Sequence, residues 1–211
     1  MRTVSLLALC LTACATQPPS SSAIPPTAPP LVVASGTTPD AAAPTQPALH
    51  EGADLLGTQA HEWNVGPWYN SPPLTLASLR GRVVLVRWFM STNCPLCTAT
   101  APSLRAFDHD YAARGLSVIG MYHHKDPEPL DPAKVAETIK TFGFTFPVAI
   151  DPDWRTLKDW WLDGHRRSFT SVSFLIDKKG TIRFIHPGGK YEPGSADERT
   201  LRARIESLLV E

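Results

Sequence analysis

The feature that most constrains the fold is an apolar segment near the middle of the chain, VVLVRWFM at residues 83–90. It is rich in β-branched side chains, and Arg87 is its only charged residue. A near-continuous run of this kind is typical of a strand that is buried on both faces, as the strands of parallel sheets are. Because such a sheet needs helices on its faces, the run predicts an α/β domain.

The segments after this strand alternate between helical and extended patterns. Asp131 is predicted to cap a helix that Pro132 begins. The turn at 178–180 joins the last two strands as a hairpin, so the sheet is predicted to be mixed, with a parallel core and an antiparallel edge. The predicted elements are helices at 95–114, 131–142, 153–162 and 195–209, and strands at 83–90, 116–122, 146–150, 172–177 and 181–186.

The N-terminal fifty residues differ in composition from the rest of the chain. Arg2, an apolar run and then small residues form the pattern of a secretory signal peptide, which an ordinary peptidase could cleave elsewhere. The tetrad LTAC at 11–14 resembles a bacterial lipobox, and the resemblance implies cleavage before Cys14 and lipid attachment to it. We therefore expect a signal peptide at 1–13, a disordered Pro/Ala/Ser-rich linker at 14–50 and a folded domain at 51–211.

This organisation predicts a location and excludes one class of partner. A lipid on Cys14 would anchor the chain to a membrane of the bacterial cell envelope, facing the periplasm or the exterior. Disulfides persist in such compartments. Lysine and arginine number 20, as do aspartate and glutamate, so the composition gives no indication of a nucleic-acid partner.

A cysteine pair, Cys94 and Cys97, follows the apolar run within the segment STNCPLC. A structural staple across so short a loop would add little stability. A closed zinc site needs four ligands, and no second cysteine pair exists in the domain, although histidines remain available. Because a strand delivers Cys94 to the start of a helix, free backbone N–H groups and the helix dipole would stabilise a thiolate there. Reversible redox chemistry is the favoured interpretation.

Several segments occur in an order that carries a family resemblance. They are LTLASLRGRVVLVRWF, the CxxC pair, Pro102, and SFLIDKKGTIRFIHPG. From residue 61 onward the chain resembles the thioredoxin fold, in the TlpA- and ResA-type branch of exported thiol–disulfide oxidoreductases, or redoxins. The resemblance implies a central mixed sheet with flanking helices and an extra α/β insertion. It also implies Cys94 as nucleophile, Cys97 as resolving thiol, protein thiols and disulfides as substrates, an envelope redox partner and no cofactor.

Three positions depart from the pattern of that family. Asn93 precedes the pair where many members have tryptophan, and Arg87 replaces an acidic or amide residue that assists proton transfer. Arg87 could lower a thiol pKa or pair with a carboxylate. Ser171, next to Thr170, occupies the position of the substrate-binding cis-proline, and a non-proline residue there is expected to be trans.

The missing proline and several histidines leave two alternatives. His123 and His124 follow a predicted strand, and His165 precedes the loop that bears Ser171. Together with thiolates they could bind copper, as in SCO-type chaperones, which resemble this chain but space their cysteines as CxxxC. The other alternative is a redox-inactive binding module. Adjacent Trp160 and Trp161 are not expected to face the same side of a helix, so one is predicted to line a surface groove.

Overall fold

The computed structural model describes residues 51–211, and it confirms the predicted α/β fold. The predicted signal peptide, the linker and Cys14 lie outside the described residues. The strands are β1 (Trp68–Tyr69), β2 (Val83–Phe89), β3 (Leu116–Tyr122), β4 (Val148–Ile150), β5 (Ser173–Ile176) and β6 (Ile182–His186). The α-helices are α1 (Pro95–Tyr111), α2 (Pro132–Phe142), α3 (Arg155–Leu157) and α4 (Ala196–Val210). Single 3-10 turns lie at Ala53–Leu55, Ala77–Leu79, Ala112–Arg114 and Pro152–Trp154.

One mixed sheet of six strands, in the order β1-β4-β3-β2-β5-β6, organises the domain. Strands β2, β3 and β4 are parallel, whereas β5 and β6 run antiparallel at one side, as the hairpin predicted. The edge strand β1, which pairs antiparallel with β4, was not predicted. The α2–β4 unit is the insertion that the resemblance implied.

The two faces of the sheet carry separate apolar clusters, which β2 supplies alternately. Leu85 and Phe89 pack on the face that α1, α2 and α4 cover, whereas Val86 and Trp88 pack on the face covered by α3 and the N-terminal segment. Alternate residues of a strand point to the same face of the sheet, so Arg87 points to the same face as Leu85 and Phe89. Its side chain therefore leaves the sheet on the face that α1 covers.

The helix starts follow local chemistry. The Asp131 carboxylate accepts a hydrogen bond from the Ala133 N–H at 2.8 Å, and Pro132 begins α2, as predicted. Gly143 ends α2 with a positive φ of 66°, which glycine adopts without steric cost.

Within residues 51–211, no helix combines the length and apolar character needed to cross a bilayer.

The prediction that one of the adjacent tryptophans lines a surface groove fits Trp160, which borders a small hollow of about 40 Å³. Lys158–Leu162 forms a wide π turn, and Trp160 and Trp161 are both buried. Their rings lie 5.3 and 5.9 Å from that of Phe174, centroid to centroid. In this wide turn, adjacent side chains reach the same core residue together.

Candidate active site

The cysteine pair lies where β2 passes into α1. Cys94 is the N-cap of α1, and its sulfur accepts a hydrogen bond from the Cys97 N–H at 3.3 Å. Pro95 occupies the first turn, where its missing N–H costs nothing. The Cys94 sulfur thus sits at the positive end of the helix dipole, in contacts that stabilise negative charge.

The two cysteines differ in their access to solvent. Cys94 is half-buried, whereas Cys97 is 3% exposed and packs in the core beneath α1. Their sulfur atoms lie 2.7 Å apart, with the Cys97 thiol donating to Cys94. Burial raises the pKa of the Cys97 thiol well above its ordinary value, and the hydrogen bond to Cys94 raises it further. A partner would therefore meet the Cys94 sulfur first.

A cleft of about 210 Å³ opens beside Cys94. Its walls come from the active-site loop, the end of β3 and the loop before β5. Phe169, 42% exposed, forms part of the rim. The lining residues are Met90, Cys94, Leu96, Cys97, His123, Lys125, Arg167, Ser168, Phe169, Thr170 and Ser171.

His123 links the active-site strand to the loop across the cleft. It is 1% exposed, and its Nδ1–H donates to the Phe89 carbonyl at 2.9 Å. Its Nε2 then accepts from the Thr170 hydroxyl at 2.9 Å, while the Lys125 ammonium donates to the same hydroxyl oxygen at 3.2 Å. Burial lowers the pKa of His123 to about 3, with Lys125 adding to the effect, so the imidazole is neutral at pH 7.

Thr170 and Ser171 lie across the cleft from the cysteine pair. The Thr170–Ser171 bond is trans, as expected, and Gly66–Pro67 is the one cis bond within residues 51–211. The backbone N–H of Trp88 donates a hydrogen bond to the Val172 carbonyl at 3.1 Å, which fixes the end of this loop to β2. The predicted substrate loop is thus held at both Thr170 and Val172.

Arg87 is fully buried under this site, at 1% exposure. Its guanidinium donates to the Gly189 carbonyl at 2.7 Å and to the Ser173 hydroxyl at 3.3 Å, and it stacks 5.1 Å from the Tyr191 ring centre. Among the described residues no carboxylate lies within salt-bridge distance of it. Of the two roles that the sequence left open, pairing with a carboxylate is therefore wrong. The positive charge lowers the pKa of Cys97 and partly offsets its burial.

Comparison with known proteins identifies the family. The sequence model of the Redoxin family matches residues 70–205. The chain belongs to the Redoxin family. This confirms the predicted thioredoxin-like redoxin and supports a thiol–disulfide oxidoreductase over a redox-inactive binding module.

Individual redoxin relatives agree with this assignment. A Mycobacterium tuberculosis protein named as a peroxiredoxin is 30% identical over 116 residues, which cover 52% of this chain and 70% of that protein. The structure of a thiol-disulfide isomerase from Corynebacterium glutamicum is 28% identical, with a TM-score of 0.59, over 74% of this chain and 97% of that one. A Chlorobium tepidum structure described as a thiol:disulfide interchange protein, DsbE, is 23% identical, with a TM-score of 0.59, over 73% and 97% of the two chains, and it supports the fold.

The structure does not bring together the three histidines of the copper alternative. His123 faces the cleft. His124 contacts the Glu128 carbonyl at 2.6 Å and lines a separate polar hollow of about 470 Å³, which neither cysteine reaches. His165 lies 3.6 Å from the Asp54 carboxylate on the surface. Within residues 51–211, no cluster of three or more His, Cys, Asp or Glu side chains could hold a metal ion. The copper alternative grouped His123 with His124, but adjacent residues at a strand end point to opposite sides of the sheet.

Lys125, Arg167 and Phe169 are among the cleft residues that the sequence did not predict. They come from irregular segments, whose positions depend on tertiary contacts rather than on a repeating pattern. Arg167 stacks 4.2 Å from the Trp161 ring centre and lies 3.5 Å from the Asp54 carboxylate. The sequence signals for this side of the cleft were His123, directly after a buried strand, and the predicted substrate loop at Thr170 and Ser171.

Proposed function

We propose that this redoxin is a thiol–disulfide oxidoreductase of the bacterial cell envelope, in which Cys94 is the nucleophile and Cys97 the resolving thiol. The observation that carries the proposal is the difference in exposure within the pair. Cys94 faces the cleft at the start of α1, and Cys97 lies behind it with the sulfur atoms 2.7 Å apart. The two sulfur atoms are in direct contact, so the Cys97 sulfur is placed to attack a mixed disulfide at Cys94.

The reaction proceeds by two exchanges of thiolate and disulfide. The Cys94 thiolate attacks a partner disulfide, R–S–S–R′, to form Cys94–S–S–R and release R′–S⁻. Cys97 gives its proton to the released thiolate and attacks the Cys94 sulfur, which releases R–S⁻. The cysteine pair is then oxidised by two electrons and the partner is reduced by two. The reverse sequence oxidises a partner dithiol.

The cleft supports a polypeptide as the partner. Met90, Leu96 and Phe169 give it apolar walls near Cys94, and Thr170 and Ser171 lie opposite. The family resemblance implies that the backbone at the latter position binds the substrate backbone. The hydrogen bonds to Thr170 and Val172 would hold that loop in place for such contacts.

The envelope location rests on the N-terminal sequence. The signal-like segment at 1–13, the LTAC tetrad and the Pro-rich linker at 14–50 together support lipid attachment at Cys14. Metabolic labelling with a radioactive fatty acid in a bacterial host tests this part. Label should enter the wild-type chain and be lost in C14S, whereas equal labelling of both would contradict the anchor.

Turnover of a fluorescent peptide disulfide, with dithiothreitol as the reductant, tests the activity. We expect the wild-type domain to accelerate reduction of the peptide, and C94S to be inactive. C97S should retain one attack per molecule but lose turnover. Acceleration that survives in C94S would contradict the proposal.

A second candidate function is peroxide reduction, which the similarity to the M. tuberculosis relative favours. Cys94 would attack the peroxide and become a sulfenic acid, with release of an alcohol or water. Cys97 would then displace water from Cys94 to form the disulfide. Rapid oxidation of the pair by hydrogen peroxide, faster than by the peptide disulfide, would favour this candidate over protein disulfide exchange.

A further inference from the structure

Arg87 is a charged residue whose described contacts are all neutral. Its guanidinium bonds to a carbonyl and a hydroxyl and stacks on a phenol ring. The Tyr191 ring is fully buried, and its pKa is raised by burial, so it supplies no anion. A buried charge without a partner is costly, because the protein interior solvates it less well than water does.

The other ionisable groups around Arg87 do not neutralise it. His186, in β6, has a pKa lowered by burial and then by Arg87, and His123 is neutral for similar reasons. Asp197, in α4, lies 3.5 Å from His186 and is largely exposed. Within residues 51–211, Tyr191 and the Cys97 thiol are the two groups of opposite potential charge whose pKa Arg87 lowers.

Arg87 and Cys97 belong to the same layer of the molecule. Arg87 projects from β2 on the face that α1 covers, and Cys97 packs from α1 into the cluster on that face. Tyr191 holds the two elements together: its ring stacks on Arg87, and its backbone accepts from the Ser103 hydroxyl at 2.9 Å and donates to that of Thr100 at 3.3 Å.

We propose that Arg87 is a positioning residue of the redox site, which supplies the counter-charge for the Cys97 thiolate when the resolving thiol loses its proton. The proposal rests on the proposed function of the pair. An acidic residue at this position would accept the proton of the thiol, whereas Arg87 stabilises the anion that remains. The proton passes to the departing thiolate of the partner. Once the disulfide has formed, the pair is neutral and Arg87 is again without an anion.

The aromatic disulfide 5,5′-dithiobis(2-nitrobenzoate) separates the two steps in the reduced protein. Attack by Cys94 releases the first coloured thiolate at a rate that depends on reagent concentration. Attack by Cys97 on the mixed disulfide releases the second coloured thiolate at a rate that does not depend on reagent concentration. Removing the charge should raise the pKa of Cys97 and so lower the fraction of Cys97 present as thiolate at a given pH. The thiolate that remains is a better nucleophile because its pKa is higher, and this offsets part of the loss, so the second phase should slow by about threefold.

Three variants distinguish charge from structure. R87Q keeps a hydrogen-bond donor without the charge, and R87K keeps the charge without the planar fork. S173D keeps Arg87 and places a carboxylate where the Ser173 hydroxyl lies 3.3 Å from the guanidinium, so the charge at 87 is retained but is paired with another anion. We expect R87Q and S173D to slow the second phase and to move its pH profile to higher pH. R87K should stay within about twofold of the wild type.

A folded R87Q or S173D with the wild-type second phase and pH profile would overturn the proposal, as would an R87K as slow as R87Q. This readout needs no protein partner. Absence of peptide-disulfide turnover would therefore refute the proposed function, but the effect of Arg87 on the second phase could still be measured.

Discussion

The hydroxyl of Thr170 donates a hydrogen bond to Nε2 of the buried, neutral His123 at 2.9 Å. Because His123 Nδ1–H donates to the Phe89 carbonyl at the end of β2, this contact joins the two walls of the active-site cleft. Beside Ser171, at the predicted substrate loop, the Thr170–His123 contact and the hydrogen bond from the Trp88 backbone N–H to the Val172 carbonyl hold the backbone. The cleft therefore depends on a histidine whose two ring nitrogens both make hydrogen bonds within the fold.

Replacement of Thr170 by valine tests the hydrogen bond between Thr170 and His123. T170V removes the hydroxyl but keeps the side-chain volume, so His123 Nε2 is left buried without a partner. A loss of about 1–3 kcal/mol in the free energy of unfolding is expected. T170S keeps the hydroxyl and should lose much less. Urea denaturation of both variants measures the difference, and equal stability of T170V and the wild type would contradict it.

The pKa of His123 predicts how stability depends on pH. The pKa is about 3 in the folded chain and 6.5 at its ordinary value, so the unfolded state takes up this proton first as pH falls. The contribution of neutral His123 is therefore complete above pH 6.5 and is lost between pH 6.5 and 3, at up to about 1.4 kcal/mol per pH unit. Denaturation at pH 7 and pH 5 should show this slope in the wild type and a smaller one in H123Q.

The accessibility of the two thiols predicts their alkylation. In C97S, iodoacetamide should modify Cys94 readily at pH 7, because its sulfur faces the cleft. In C94S, Cys97 should react at least tenfold more slowly at pH 7 and faster as pH rises, because burial raises its pKa. Mass spectrometry follows both reactions. Equal rates at pH 7 would mean that the pair is not arranged as one exposed and one buried thiol.

Gly188 predicts a coupling between the loop after β6 and the cleft rim. Its φ is +128°, and a Cβ there would overlap the Phe169 side chain. G188A should displace Phe169, destabilise the domain by about 1–3 kcal/mol and slow peptide-disulfide reduction. G189A is the matched control: its φ is also positive, at +78°, but the nearest Phe169 atom is 4.0 Å from the Cβ. An identical effect of the two variants would show that backbone strain alone acts.

Regular elements were predictable from the sequence, because each has a local cause. The β-branched run at 83–90 gave the central strand, and Asp131 with Pro132 gave the start of α2. The strand β1 was missed since two residues carry no periodic pattern. The joint burial of Trp160 and Trp161 was missed because a π turn directs adjacent side chains differently from a regular helix.

The site was predictable only in part. The placement of Cys94 at the start of a helix follows from a strand, a cysteine and a proline in sequence. The contacts of Arg87 and His123 depend on which face of a strand meets which loop, and a single sequence does not specify that. For the same reason, His123, His124 and His165 suggested a shared site although they lie in three separate environments.

Trapping of a mixed disulfide tests the central claim most directly. Reduced C97S, C94S and the double variant are each mixed with the fluorescent peptide disulfide, quenched with acid and analysed by non-reducing electrophoresis and mass spectrometry. We predict that C97S accumulates a one-to-one covalent complex through Cys94 and that dithiothreitol releases it. C94S should form at most a trace. Accumulation in C94S but not in C97S, or in neither variant, would contradict the assignment of Cys94 as the nucleophile that Cys97 resolves.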